Sequence, residues 1–382
     1  MRVYRSLRAA TQIARWAAVV AVAACGKKEA VRAGESVAAS ASTEAAPAKG
    51  EPTAAAANGA KAGIDKARLA IFAPLAGEVT ASTGPASAAQ VELGRMLYFE
   101  KRLSKNQDIS CNSCHMLDKG GVDASPTSTG HKGQKGGRNA PTVLNAAAHL
   151  AQFWDGRAKD VEEQAKGPIL NPIEMAMPNS EAVVAVLKSM PEYVAAFQAA
   201  FPGQQDAVTY DNLGKAIGAF ERQLTTPGRW DAYLKGDDKA LNDEEKAGLA
   251  AFLDTGCIAC HNGAALGGAS YQKLGAVKPW PDLKDLGRFD ASKDEADRFK
   301  FKVPSLRNIA QTGPYFHDGS VKTLEDAVKL MASHQLGKDL DEAQVRSIVA
   351  WLKALTGEAP RELTAEPTLP PSSATTPKAD PN

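Results

Sequence analysis

The chain has 382 residues, 44% of them hydrophobic, which is enough for two or three domains with filled cores. Its 45 basic and 44 acidic side chains leave a formal charge of +1, so no cationic surplus points to nucleic acid. No apolar run reaches the roughly 20 residues that a membrane-spanning helix needs.

The chain opens with Arg2, Arg5, Arg8 and Arg15, then an apolar stretch over residues 16–24, then Cys25, which is the layout of an export signal. Val22-Ala23-Ala24-Cys25 also matches a bacterial lipobox, which predicts cleavage after residue 24 and a lipid on Cys25. The alternative is a plain signal cut near Ala24. Either way the mature protein is exported. Removal of residues 1–24 takes away four arginines and no acid, moving the charge from +1 to −3. Residues 25–63 are rich in Ala, Ser, Glu, Lys and Pro, cannot bury enough surface to offset ordering, and are expected to form a disordered tether. Residues 358–382, with their Pro, Thr and Ser, are expected to form a disordered tail for the same reason.

Between these ends one pattern occurs twice. The first copy has a helical stretch with Gly94 and Tyr98, then Cys111-Asn112-Ser113-Cys114-His115, and closes on an amphipathic segment over 211–224. The second has Gly248 and Phe252 at the same spacing, then Cys257-Ile258-Ala259-Cys260-His261, and closes on 342–355. There Val345, Ile348, Val349, Leu352 and Leu355 recur at helical spacing. Strand signals are sparse. The fold expected is mostly α, with two tandem c-type cytochrome domains and long loops, over residues 64–238 and 239–357, joined near 225–239.

C-x-x-C-H supplies two thiols spaced for thioether bonds to one haem and an adjacent imidazole for its iron. Apart from Cys25, the four cysteines of these motifs are the only ones in the chain, so none is left for a disulfide. Cys111, Cys114, Cys257 and Cys260 are therefore read as covalent attachment points of two haem c groups, with His115 and His261 as proximal ligands. The sixth ligands separate an electron carrier from a catalyst, because an open iron face can bind a substrate. For the second haem Met331 is the candidate, in what reads as the loop before the last helix, with His334 as its alternative. A Met/His haem has a raised potential. For the first haem no Met stands in the equivalent place. His131, in the glycine-rich stretch 130–137, is the candidate, and His149 its alternative.

These residues and their neighbours resemble the bacterial di-haem cytochrome c peroxidases over about 90–357. The likeness rests on Leu103-Ser104 before the first motif, Gly-His-x-x-Gln-Lys-Gly around His131, Ala140-Pro141-Thr142, and the run from Phe153 through Trp154, Asp155 and Gly156 to Arg157. It extends through Glu163-Gln164-Ala165, Asn171-Pro172-Ile173-Glu174-Met175, Val303-Pro304-Ser305-Leu306-Arg307-Asn308 and Pro314-Tyr315-Phe316-His317-Asp318-Gly319. The resemblance implies that the haem on His115 is the low-potential peroxidatic centre, with His131 a removable ligand. It implies that the haem on His261 and Met331 admits electrons, and that Trp154 lies between the two.

The same resemblance assigns Glu174 to proton movement during cleavage of the oxygen–oxygen bond and Gln164 to orienting peroxide. It gives His317 a place near the haem propionates, and it implies calcium held by Asn139, Thr312 and Pro314, whose hard oxygens suit that ion. The partners implied are hydrogen peroxide and a small donor, either a cytochrome c or a cupredoxin; homodimerisation is a family expectation. With the signal, this predicts a periplasmic location, attached to a membrane only through lipid, with the outer membrane favoured because no Asp follows Cys25. The rivals are a di-haem electron-transfer cytochrome with both irons closed and a di-haem oxidase that matures a quinone cofactor in a partner protein. The latter uses Tyr where Met331 stands.

Overall fold

The computed structural model describes residues 64–382 apart from Thr83, so the expected signal, Cys25 and the tether lie outside the described residues. None of the described helices is long and apolar enough to cross a membrane. Helix α1 (Ala88–Phe99) is started by a reciprocal cap, in which Ser87 Oγ accepts from the Gln90 N–H and Gln90 Oε1 accepts from the Ser87 N–H. There follow a single turn α2 (Cys111–Cys114), then α3 (Val161–Leu170), α4 (Ser180–Lys188), α5 (Pro191–Ala200) and α6 (Tyr210–Glu221). The second half contains α7 (Arg229–Leu234), α8 (Asp243–Thr255), the short strand β1 (Tyr271–Lys273), and α9 (Phe289–Ser292). Strand β2 (Lys300–Lys302), α10 (Leu324–Leu336), α11 (Glu342–Ala354) and α12 (Arg361–Thr364) complete it. β1 and β2 pair antiparallel with Tyr271 opposite Lys302.

The repeat seen in the sequence is a repeated helix crossing. α1 packs on α6 and α8 packs on α11 so closely that a Cβ at Gly94 would lie 1.8 Å from the Ala216 carbonyl oxygen. A Cβ at Gly248 would lie 1.8 Å from that of Ser347. Only glycine permits these two approaches. Four residues on, each aromatic side chain meets the partner helix: Tyr98 lies 5.3 Å from Phe220 and Phe252 lies 4.5 Å from Trp351, ring centre to ring centre. Two cores result, one around Leu97, Tyr193, Phe197 and Phe220, the other around Trp230, Leu249, Val349 and Trp351.

The chain ends are exchanged between these cores, which corrects the expected boundaries. Residues 64–75, expected in the first domain, pack on the second core: Phe72 meets the buried Trp230 edge-to-face at 5.3 Å, and Trp230 itself lies on α7, before residue 239. The tail, expected to be disordered, is ordered against the first core. Ala359, Leu363 and Leu369 pack there, Arg95 Nη2 donates to the Ala365 carbonyl at 2.8 Å, and Arg102 Nη2 donates to that of Pro370 at 2.7 Å. A few apolar side chains and a row of backbone carbonyls, met by arginines already in place, suffice to hold a segment whose composition is otherwise that of a loose chain. A buried pair ties down the 64–75 segment, with Asp231 on α7 receiving Arg307 Nη1 and Nη2 at 2.7 and 2.9 Å and the Leu75 N–H at 2.7 Å.

Candidate haem sites and their surroundings

The first motif forms α2, and the His115 N–H closes that turn on the Cys111 carbonyl at 3.0 Å. The Tyr98 hydroxyl donates to the His115 carbonyl at 2.6 Å, so the repeated aromatic of the crossing also positions the motif. Burial lowers the pKa of the His115 imidazole, with the Pro141 carbonyl opposing, which favours the neutral form that an iron requires. The same burial pushes the Cys111 thiol up to about 12.

His131 lies in a one-turn segment, His131–Gly133, with its side chain only 7% exposed. Its N–H donates to the Glu174 carbonyl at 2.8 Å. The preceding Gly130 is required, since a Cβ there would sit 2.0 Å from the Ile173 carbonyl oxygen. His131 and Glu174, far apart in sequence, are thus adjacent in backbone. Burial raises the Glu174 carboxyl above its ordinary range, opposed by the charge of Arg157 and a hydrogen bond from Asn171. Arg157 is held over the Phe153 ring, 3.4 Å from its centre, and bonded to Asp155 Oδ2 at 3.0 Å. Gln164 lies mid-way along α3, and among the described residues its amide makes no side-chain hydrogen bond.

At the second motif α8 stops at Gly256, whose φ of +94° admits the left-handed turn that leads into Cys257. His261 Nδ1 is 3.1 Å from the Leu266 carbonyl, so it carries the proton and leaves Nε2 bare. Cys257, Cys260, His261 and Met331 line one cavity. Met331 lies within α10, a correction to the loop expected there: the periodic pattern of 324–336 is capped by Thr323, whose Oγ1 accepts from the Asp326 N–H. On a helix the sulfur is aimed by packing rather than by a flexible loop. His334, its alternative, is turned away. Its ring rests 5.0 Å from Trp280 and its Nδ1 is 3.1 Å from the Lys278 and Pro279 carbonyls.

Several of the other expected residues gather at the second motif. Trp154, Asn139, Thr312, Pro314 and His317 line the cavity of the second motif. The Trp154 indole N–H donates to the Asn139 carbonyl at 2.9 Å, and its ring stands edge-on to that of His317 at 6.5 Å. His149, the alternative ligand for the first iron, also lines this cavity, with Nδ1 3.0 Å from Lys302 Nζ. Its packing against Gly268 directs it to the second motif instead. Tyr98, Arg157 and Lys302 were not expected at the sites. Tyr98 could have been found from its place in the repeat and Arg157 from its place in the Phe-Trp-Asp-Gly-Arg run. A lysine on a short strand carries no signal.

Thiol pairs one turn apart, neutral imidazoles beside them, and in the second cavity a thioether lining the same space as the His261 imidazole fit covalently attached haem. The fold and its two sites define a di-haem c-type cytochrome.

Comparison with known proteins narrows the class. The family model described as di-haem cytochrome c peroxidase matches residues 88–239, and the cytochrome c model matches 245–356. A cytochrome c551 peroxidase of Pseudomonas aeruginosa is 50% identical over 81% of this chain and 90% of its own length. A cytochrome c551 peroxidase of Nitrosomonas europaea is 51% identical over 78% of this chain and 88% of its own. Among solved structures, a MauG-like protein associated with microbial copper homeostasis superposes with a TM-score of 0.67 at 29% identity, over 77% of this chain and 95% of that one. The chain belongs to the di-haem cytochrome c peroxidase family.

Proposed function

We propose that this protein reduces hydrogen peroxide to water with electrons from a small cytochrome c or cupredoxin. Each turnover takes two electrons and two protons, splits the oxygen–oxygen bond and releases two waters. The observation that carries this reading is the junction of His131 and Glu174: a candidate removable ligand and a candidate proton-transfer group share one backbone hydrogen bond of 2.8 Å. Displacement of the His131 segment would therefore disturb the Glu174 backbone as well.

The residues divide the work. Cys111, Cys114 and His115 hold one haem, and Cys257, Cys260, His261 and Met331 the other. Bound there, haem supplies the redox chemistry. Glu174, raised by burial, accepts a proton from the inner peroxide oxygen and returns it to the outer one. Gln164 orients peroxide by hydrogen bonding, and Trp154 carries the electron path between the two centres. Met331 in place of Tyr supports peroxide reduction over quinone-cofactor maturation. A site for calcium at Asn139, Thr312 and Pro314, export to the periplasm, a lipid on Cys25 with outer-membrane attachment, and a homodimer belong to the same proposal.

The test is steady-state oxidation of reduced cytochrome c by hydrogen peroxide, with both haems attached and the Met331 haem pre-reduced. Turnover that saturates in peroxide is expected. A rate no higher than background would sink the reading. Spectra of the half-reduced protein provide the second check, since an electron carrier stays six-coordinate at both irons while the proposed enzyme shows one high-spin haem.

A further inference from the structure

Lys302 is a buried ammonium without an acid. The residue is 6% exposed, and among the described residues its ammonium has one side-chain hydrogen-bond partner, His149, whose Nδ1 lies 3.0 Å from Lys302 Nζ. Burial alone pushes Lys302 down to about 8 and, with the lysine's charge, pushes His149 well below the usual imidazole range, so His149 is neutral and serves as acceptor. The other ring nitrogen, His149 Nε2, is buried with no hydrogen-bond partner. Both residues line the cavity that Cys260, His261 and Met331 share, and among the described residues no Asp or Glu lines it.

A buried cation is stable only when it is paired, and a buried ring nitrogen is costly when it is unsatisfied. Two cooperating donors in an acid-free cavity define an acceptor of negative charge that the protein itself does not supply. We infer that Lys302 and His149 bind a propionate carboxylate of the haem held by Cys257, Cys260 and His261, a reading that rests on that motif carrying haem. Lys302 Nζ donates to one carboxylate oxygen, and His149, with its proton on Nε2 and its bare Nδ1 facing the lysine, donates to the other. The site also has a defined connection to the rest of the molecule. The Lys302 N–H donates to the Trp154 carbonyl at 2.7 Å, and a Cβ on Gly268 would meet the His149 ring at 2.3 Å, so both side chains are anchored by backbone at fixed positions. A positive charge fixed beside one edge of the haem favours the reduced iron and raises the potential of the centre that receives electrons.

The experiment compares the holoprotein with Lys302→Met and Lys302→Arg by spectroelectrochemical titration of the second haem. Lys302→Met fills the same space and removes a charge, and is expected to shift its ferric–ferrous equilibrium at least tenfold toward ferric, which is 59 mV lower for one electron. Lys302→Arg is expected to retain the wild-type value. A potential unmoved in Lys302→Met, with two haems per chain by mass and a higher melting temperature, would overturn the proposal, because that pattern marks a lysine with no anion. A wild-type chain that carries only one haem would instead refute the haem reading. Redox-difference infrared spectra of the unmodified protein with isotope-labelled haem carboxylates give an independent readout. A band shifted by a charge-assisted hydrogen bond is expected, and bands of solvated carboxylates alone would overturn the proposal.

Discussion

The turns around His115 and His261 carry the same motif in the same helix crossing, yet their surroundings differ in kind. Around the first, charged and polar groups converge: the Glu174 carboxyl, the Arg157 guanidinium, and the His131 segment bonded to the Glu174 backbone. Around the second, Met331 on a helix and His261, with its Nδ1 bonded to a carbonyl, line one cavity that no acid among the described residues enters. The scaffold around the two motifs is shared, and the difference lies in the residues brought in from distant segments. On the proposed function, the first surroundings would move a proton and the second would only pass an electron.

The sharpest way to break this division is Glu174→Gln. Removing the proton acceptor while keeping the shape is expected to lower peroxide turnover by about a hundredfold to ten-thousandfold. The potential of the second haem, read by redox titration, should not move. Next in size is Asp231→Ala. It leaves Arg307 buried and unpaired, and is expected to cost about 3–5 kcal/mol in denaturant unfolding of the holoprotein. The pH dependence has a definite sign. Burial pushes the Asp231 carboxyl up, but the Arg307 hydrogen bonds and the Leu75 N–H outweigh it, so the folded pKa is depressed. That stabilisation is complete above the ordinary carboxylate range and is lost as pH falls through the depressed value, steepening acid unfolding of wild type relative to Asp231→Ala.

Met331→Leu addresses the second centre in the same way that Glu174→Gln addresses the first. Loss of the thioether is expected to lower the potential of that haem by about 59 mV or more, a tenfold shift of its one-electron equilibrium, and to slow donor-driven turnover. Reaction of the pre-reduced enzyme with peroxide should change less, and equal losses in both assays would blur the division of roles. The smallest expected effect is deletion of residues 358–382. Losing the half-buried Leu363 and Leu369, and exposing the apolar surface they cover, should destabilise the first core by about 1–3 kcal/mol, measured as a lower melting temperature with the second haem's potential unchanged.

Much of the site was legible because covalent haem attachment demands a local pattern. Five consecutive residues specify each attachment, and Gly94 with Tyr98 and Gly248 with Phe252 specify each crossing, since contacts four residues apart fall on one helix face. Two misreadings have a physical cause. Met331 was expected in a loop because sequence position relative to the last helix says nothing about whether the segment before it is itself helical. The tail was expected to be loose because its composition is low in apolar residues, yet Ala359, Leu363 and Leu369 meet an existing apolar surface, and Arg95 and Arg102 meet its carbonyls. Composition measures what a segment can bury by itself and not what a neighbour offers it.

The sequence by itself determined a mostly helical chain with two haem attachment turns and identified the family through motifs whose spacing is short and local. Only the tertiary structure decided that residues 64–75 and 358–382 exchange cores, that Met331 is presented by a helix, that the His131 segment is bonded to Glu174, and that His149 and Lys302 meet over 153 residues of chain in a cavity that no acid among the described residues lines. The reason is the range of the interactions. A thioether motif or a helix period is complete within a few residues, whereas a buried charge, a shared cavity or a ring nitrogen lacking a partner is defined only by what the rest of the chain brings beside it.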